Sequence, residues 1–375
     1  MTTPAASAWS RAAAALRRSA RLQLLAFAAV LVAAQLLTRA GGKEFLLTQL
    51  TMAGYYTLVV LGLSLLMGHA GQISIGHAGF FAIGGYASAF LTTLDLSASR
   101  RLPVVALLER LHLLVARKDL YGGEALGVEP WAAFLVAVGL TALVAVAIGV
   151  PVLRLKGHYL AMATLAFGTI VGSVVVGTQR LGAADGISGV PPFEVLPGLR
   201  VMGGAAGRVA NYYVAWGLVA LAMLLLLNLI RSRTGRALRA LHGAEEAAAA
   251  MGVDVARLKL QVFVLSAMIA GVAGAFLTHF NGGIGPSEAS ILKSVRYVAI
   301  VAVGGMGSLW GTLATSAVLS FLSLRGTFGS HDDAVFGVIL VAVMLLAPDG
   351  ILSADLRALW RRIAPAPRSR EETPR

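Results

Sequence analysis

Residues 68–88 read GHAGQISIGHAGFFAIGGYAS, so two histidines, a glutamine and a run of glycines lie between strongly apolar neighbours. Glycine inside a membrane segment permits either close helix approach or a break in the helix. Broken backbone at bilayer depth is tolerated only where protein or a water-filled cavity surrounds it. The stretch from Gly68 to Gly79 therefore predicts an interrupted or re-entrant segment, and the whole chain must supply the surroundings.

The composition agrees. Of 375 residues, 57% are hydrophobic and 13% charged, with 43 glycines, and the mean hydropathy is +0.79. Such a chain is too apolar for an ordinary water-facing surface and reads as all-α, a polytopic helical membrane protein. Apolar runs at 22–38, 45–67, 78–94, 131–153, 158–177, 212–230, 261–280, 291–304, 309–324 and 334–348 give about ten membrane segments, several too short to cross a core of roughly 30 Å unaided. The net charge of +13 does not point to nucleic acid, because the cations sit in short loops and tails between apolar runs. There are no cysteines, which excludes disulfides and thiolate metal sites.

Charge placement orients the chain. Arg11, Arg17, Arg18 and Arg21 precede the first run with no acidic residue among them, as expected for a start held in the cytoplasm. A cleaved signal peptide is the competing reading, although no small-residue cleavage motif closes that run. Both termini then face the cytoplasm. Residues 1–21 form a basic N-terminus, 22–348 the membrane domain, and 349–375 a tail expected to be partly disordered. On the inner side lies 231–260; on the outer side lie 95–130 and the Gly- and Pro-rich 178–211, read as a folded cap or docking surface rather than a span. The 95–130 loop carries five cations and five anions. Within it LPVVALLERLHLLVARKDL reads as an interfacial amphipathic helix or as a partly ordered insertion.

Several chemistries are excluded. None of the ten runs has Asp or Glu in its interior, so a proton- or sodium-driven cycle lacks an obvious ion site, although backbone carbonyls can coordinate sodium. No GxxxxGK[ST] loop is present, so the chain has no ATPase site of its own. There is no HExxH, and the seven histidines lack metal-ligand spacing; a structural hydrogen bond suits His69, His77, His158 and His279 better. A membrane-embedded enzyme has no assembled acid, base or nucleophile here, so no catalytic residue is assigned.

The segment RSRTGRALRALHGAEEAAAAMGVDVARLKL, from Arg231 to Leu260, switches to helix-forming, charged composition with breaks at Gly243 and Gly252. It is either a solvated connector or a docking element. Glu246-Ala247-Ala248 followed by Gly252 has the form EAAxxxG.

This loop resembles the coupling loop of ABC importer permeases, which inserts a short helix into a separate ATPase subunit. The likeness extends to GHAGQISIGHAGFFAIGGYASA, to LRLKGHYLAMATLAFGTIV at 153–171, to ADGISGVPPF at 184–193, to 234–276 and to VAVGGMGSLWGTLATSAVL at 301–319. Together, from about 45 to 350 in order, these resemble the branched-chain amino acid permeases, particularly the longer of their two paired membrane subunits. The resemblance implies a subunit of the bacterial cytoplasmic (inner) membrane that moves branched-chain amino acids inward. A second homologous permease subunit, two ATP-binding cassette ATPases and an extracytoplasmic solute-binding protein are its implied partners. ATP is then bound by those partners, and this chain needs no cofactor. A urea or short-amide importer shares the motifs, and an ATP-independent channel would need no coupling loop. The chain departs from the family in its longer 96–130 insertion and in the reduced acidic stretch before Glu246.

The residues assigned to the coupling loop are Gly235, Arg236, Arg239, Glu245, Glu246, Ala247, Ala248 and Gly252. Candidates for the path or its gate are Gly71, Gln72, Ser74, His77 and Phe81 in the opening stretch, with Thr164, Phe167 and Thr169 in the 158–177 run and Gly304 and Gly305 at the second glycine-rich interruption. Helix ends at such breaks expose free N–H and C=O groups to a polar solute. The alternative is tight packing, with polar side chains bonding between helices.

Overall fold

The computed structural model describes residues 20–97, 109–110, 113–118, 124–205 and 207–346. The basic N-terminus before Ala20, the tail after Leu346 and most of 98–112 lie outside the described residues.

All ten apolar runs are helical over their described residues. They form α1 (Ala20–Ala40), α2 (Leu46–Ser64, prolonged by a π-turn over Leu65–His69), α3 (His77–Thr93), α4 (Pro130–Val152), α5 (His158–Gly177) and α6 (Arg208–Arg231). Two short helices follow, α7 (Arg233–Gly243) and α8 (Glu245–Ala250), and then α9 (Val255–Asn281), α10 (Ile291–Gly304), α11 (Leu309–Leu324) and α12 (Asp332–Leu346). Six of these (α1, α2 with its π-turn, α4, α5, α6 and α9) are long and apolar enough to cross a membrane. The other four apolar helices have 14 to 17 residues, and at 1.5 Å per residue they cross only part of a bilayer alone.

Local chemistry sets the helix starts. Glu129 caps α4 by accepting from Ala132 N at 3.1 Å, with Pro130 in the first turn. Asp254 caps α9 through Arg257 N, Ser290 caps α10 through Lys293 N, and Ser308 caps α11 through Gly311 N. At the far end of α9, Gly282 takes the left-handed conformation that closes a helix.

The core is α2, α3 and α9, with α10 and α11 against α2. Glycine makes the α3–α9 crossing close: a Cβ on Gly84 would lie 2.2 Å from the Gly271 carbonyl, and one on Gly274 would lie 2.0 Å from that of Phe81. Around this core α1, α4, α5 and α6 turn apolar faces outward, including Leu37, Leu135, Ile170 and Leu225. Faces of that kind suit lipid or another apolar protein surface.

Residues 178–205 form a folded cap at the end of the bundle where α3 and α9 finish. Strand β3 (Ile187–Ser188) pairs with β6 (Gly283–Ile284), and β4 (Phe193–Leu196) with β5 (Leu199–Val201). Phe193, fully buried, meets Trp131, Phe134, Phe276 and His279 at ring distances of 4.9–5.7 Å. The His279 ring hydrogen-bonds the Pro191 carbonyl through Nδ1 at 2.7 Å and Ser88 Oγ through Nε2 at 2.8 Å. Because a carbonyl only accepts, Nδ1 carries the proton and Nε2 accepts from the serine.

The helical reading of 102–120 fails at its end, where residues 114–118 are a strand; Glu109 and Arg110 are helical, and the rest of 102–112 and 119–120 lies outside the described residues. Leu114–Lys118 and Glu124–Val128 form an antiparallel hairpin, β1–β2, in register Leu114↔Val128. A helix continued through Leu114–Lys118 would leave Glu124–Val128 without a backbone partner, whereas pairing satisfies both segments and buries Leu126. Asp95 fastens this hairpin to the end of α3 by accepting from Ser97 N at 2.9 Å, Ser97 Oγ at 2.8 Å and Leu126 N at 3.2 Å. Those hydrogen bonds hold its carboxyl below the usual carboxylate range.

Candidate translocation path and coupling surface

The chain between the π-turn and α3 is non-helical over residues 71–76, so the opening stretch is a break. Its backbone is pressed against three neighbours. A Cβ on Gly68 would fall 1.5 Å from the Met306 carbonyl, one on Gly76 2.3 Å from that of Thr164, and one on Gly71 3.0 Å from His242 Nδ1. The first contact joins this break to the second one, at 305–308 between α10 and α11. The last joins it to α7.

The polar side chains here are buried and mostly committed, whereas Ile73 is exposed. His77 bonds Ser74 Oγ at 3.0 Å and Ser266 Oγ on α9 at 2.7 Å. Ile75 N donates to Thr164 Oγ1 at 3.0 Å, and Ala78 N donates to Ser294 Oγ on α10 at 3.1 Å. Phe80 packs against Phe167 in a tilted arrangement at 4.7 Å, while Phe81 faces Tyr56 at 5.9 Å. Gly304 allows the backbone of Gly311 and Thr312 to approach, and the Gly305 carbonyl accepts from Thr312 Oγ1. Gln72 differs from its neighbours, being 2% exposed with neither amide atom of its side chain hydrogen-bonded. The structure thus brings Gly71, Gln72, Ser74, His77, Thr164, Phe167 and the Gly304–Gly305 turn into one packed zone around the break. Phe81 lies one turn further along α3, and Thr169 points outward from α5.

The α7–α8 element sits directly at the break. Ser232 caps α7, Arg239 Nη1 donates to the Ile230 carbonyl at 3.2 Å, and Leu238 and Leu241 are buried against the bundle. Gly235 is required where the chain folds back, since a Cβ there would lie 2.0 Å from the Ile230 carbonyl. In α8 only Ala248 is buried, so Glu246 and Ala247 stand exposed beside Met251, itself 85% exposed. Gly252, at φ +84°, reverses the chain into α9. Glu245 pairs with Lys259 at 2.7 Å and ties α8 to α9. Arg236 and Arg239 are exposed on α7.

A second polar site lies where α2, α10, α11 and α12 meet. Lys293 pairs with Glu288, and Tyr56 Oη accepts from Lys293 Nζ and donates to Glu288. Arg296 reaches Ser323 Oγ at 2.9 Å, Asp333 at 2.8 Å and Asp332 at 3.4 Å. A cavity of about 330 Å³ opens among Tyr56, Arg296, Tyr297, Ile300, Leu324 and Asp332. Glu288, Lys293, Arg296, Asp332 and Asp333 are not among the candidates that sequence inspection offers. The available signal was Lys293 and Arg296, two cations three residues apart inside an apolar run, with carboxylates flanking it on either side.

Residues 45–348 match the family model described as branched-chain amino acid transport system / permease component. The chain belongs to this permease family. It is 30% identical over 324 residues to the high-affinity branched-chain amino acid transport system permease protein LivM of Salmonella typhimurium, covering 80% of this chain and 68% of that one. The LivH permease of the same organism is 26% identical, over 80% of this chain and 92% of its own. BraD of Pseudomonas aeruginosa is 25% identical, over 82% and 94%. No solved structure matches. With this membership and six helices among the described residues able to cross a bilayer, the protein is a multi-pass membrane permease subunit.

Proposed function

We propose that this permease is the transmembrane subunit of an ABC importer that moves branched-chain amino acids into the cytoplasm, driven by ATP hydrolysis on separate subunits. The observation that carries the reading is mechanical continuity: the exposed α8 surface leads through α7 and His242 to Gly71, and the same break meets the second one through Gly68 and Met306. A movement imposed on α8 therefore has a packed route to both interruptions. The relatives are named as branched-chain amino acid permeases, which supports that cargo over urea or short amides.

In this reading residues 231–260 face the cytoplasm of a bacterium and dock on the ATPase, both termini lie on that side, and the hairpin and the cap face outward in the inner membrane. ATP and its catalytic groups belong to two ATPase partners. A second homologous permease completes the path, and an extracytoplasmic binding protein delivers solute over the cap. The packed zone from Gln72 to His77 is the closed gate, which opens when the ATPases close on ATP. Leucine uptake into proteoliposomes tests this: the complete complex with receptor and ATP accumulates leucine, and omission of the ATPases abolishes uptake. Uptake that persists without them contradicts an importer.

A further inference from the structure

The break between the π-turn and α3 places its side chains the wrong way round. Along residues 71–74 burial alternates, with Gly71 and Ile73 exposed and Gln72 and Ser74 buried. The amide of Gln72 is thus enclosed, at 2% exposure, while the aliphatic Ile73 beside it is 42% exposed. Ser74 has His77 as a partner. Gln72 Oε1 and Nε2 have none, and neither has His69 Nδ1 at the end of the π-turn. A buried unpaired polar group is the informative half of this inversion, because native proteins contain few of them.

These atoms have effectively no accessible surface, so neither bulk water nor a water in a cavity reaches them, and no ligand does in this conformation. Their burial is therefore a cost without a compensating bond. It persists because the surrounding packing imposes it. Gly68 against the Met306 carbonyl and Gly76 against that of Thr164 supply that packing on either side. The segment between is lightly tied. Gln72 N donates to the Leu66 carbonyl at 3.1 Å, and Ile75 N donates to Thr164 Oγ1 at 3.0 Å. Gly71, at φ +66°, gives residue 72 a pivot with no side chain of its own to resist a turn.

We propose that Gln72 and Ile73 form a swivel, and that the closed gate is held in the form its own Gln72 destabilises. Turning the pair between Gly71 and Ser74 carries the amide out to water and Ile73 into the packing. The turn gives up the Gln72 N bond to Leu66, which water replaces, and keeps Ser74 on His77 and Ile75 N on Thr164. Hydrating the amide and burying the isoleucine are both favourable, so the enclosed Gln72 lowers the work needed to open the gate. The swivel deepens the importer reading and rests on it. A glutamine that only fills space would have no such effect, and one that holds the gate shut would have a hydrogen bond.

The chain has no cysteine, so Ile73→Cys reports its own exposure. The complete complex, with partner permease and ATPases in nanodiscs, is treated with a small maleimide, and adducts at this position are counted by peptide mass spectrometry. Modification is expected to be fast without nucleotide and about tenfold slower with a non-hydrolysable ATP analogue, the reverse of a probe at position 72. Gln72→Met, an unbranched apolar side chain of the same length, is added to the same reporter. It is expected to raise the Tm and to remove most of the slowing, as for an equilibrium shifted about tenfold by relieving one buried unpaired polar group. An ATPase that merely covers Ile73 would slow modification equally in both backgrounds, which overturns the swivel. A rate at Ile73→Cys that nucleotide does not alter overturns it as well, and so does a lower Tm for Gln72→Met. Leucine uptake by the wild-type complex is measured in parallel. ATP-driven uptake alongside any of these results leaves the importer reading standing, and its absence overturns both.

Discussion

At the scale of single residues, the break is defined by where a methyl group does not fit. Gly68→Ala places a Cβ on the Met306 carbonyl, and neither partner is a flexible side chain. The backbone must shift, with an expected cost of about 1–3 kcal/mol. Gly139→Ala on α4 meets nothing within 4 Å. Thermal unfolding of the purified complex should therefore show a lower Tm for Gly68→Ala and none of that loss for Gly139→Ala; equal Tm values would refute the close approach. The glycines of 68–88 were readable as a break because residue type alone signals it. What His77 touches was not, since Ser266 lies 189 positions away and is one of many serines. Lys293 and Arg296 illustrate the same limit: their presence in an apolar run, with Glu288 just before it, is visible in sequence, but only the fold brings Asp332 and Asp333 to Arg296.

At the scale of elements, α7–α8 and the β1–β2 hairpin show opposite degrees of legibility. The first is local: amphipathic spacing buries Leu238 and Leu241, and Gly252 supplies a positive φ, so its helices and its end follow from neighbouring residues. Gly252→Val is expected to cost about 1 kcal/mol or more through left-handed strain and to reduce co-purification of the ATPase, as is Glu246→Lys on the exposed face. Unchanged co-purification and uptake in both variants would remove this element from the coupling role. The hairpin, by contrast, depends on pairing between Leu114–Lys118, which also reads as the end of a helix, and Glu124–Val128, and it is tied to the end of α3 by Asp95 and by the Leu96 N to Leu126 carbonyl bond. Because hydrogen bonds depress the Asp95 pKa, its contribution is present above the ordinary carboxylate range near 4 and is lost as pH falls through the lower folded value. Limited proteolysis of the 95–130 loop should accelerate on acidification below about pH 4. Asp95→Ala, which removes the acceptors, should show that susceptibility already at neutral pH. A wild-type loop with a pH-independent rate would contradict this anchoring.

At the scale of the whole molecule, ten apolar runs became ten helices because length and hydropathy dominate membrane folding. Their arrangement depends on close approaches such as Gly84 to Gly271, which no periodicity reveals. The central claim is that motion at α7–α8 reaches the buried break. The chain has no cysteine, so one introduced by Gln72→Cys is a clean probe of a position now 2% exposed. In the complete complex, its rate of modification by a small maleimide should be slow without nucleotide and rise severalfold with a non-hydrolysable ATP analogue, and Gly252→Val should suppress that rise. A modification rate that is the same with and without the nucleotide would contradict the account.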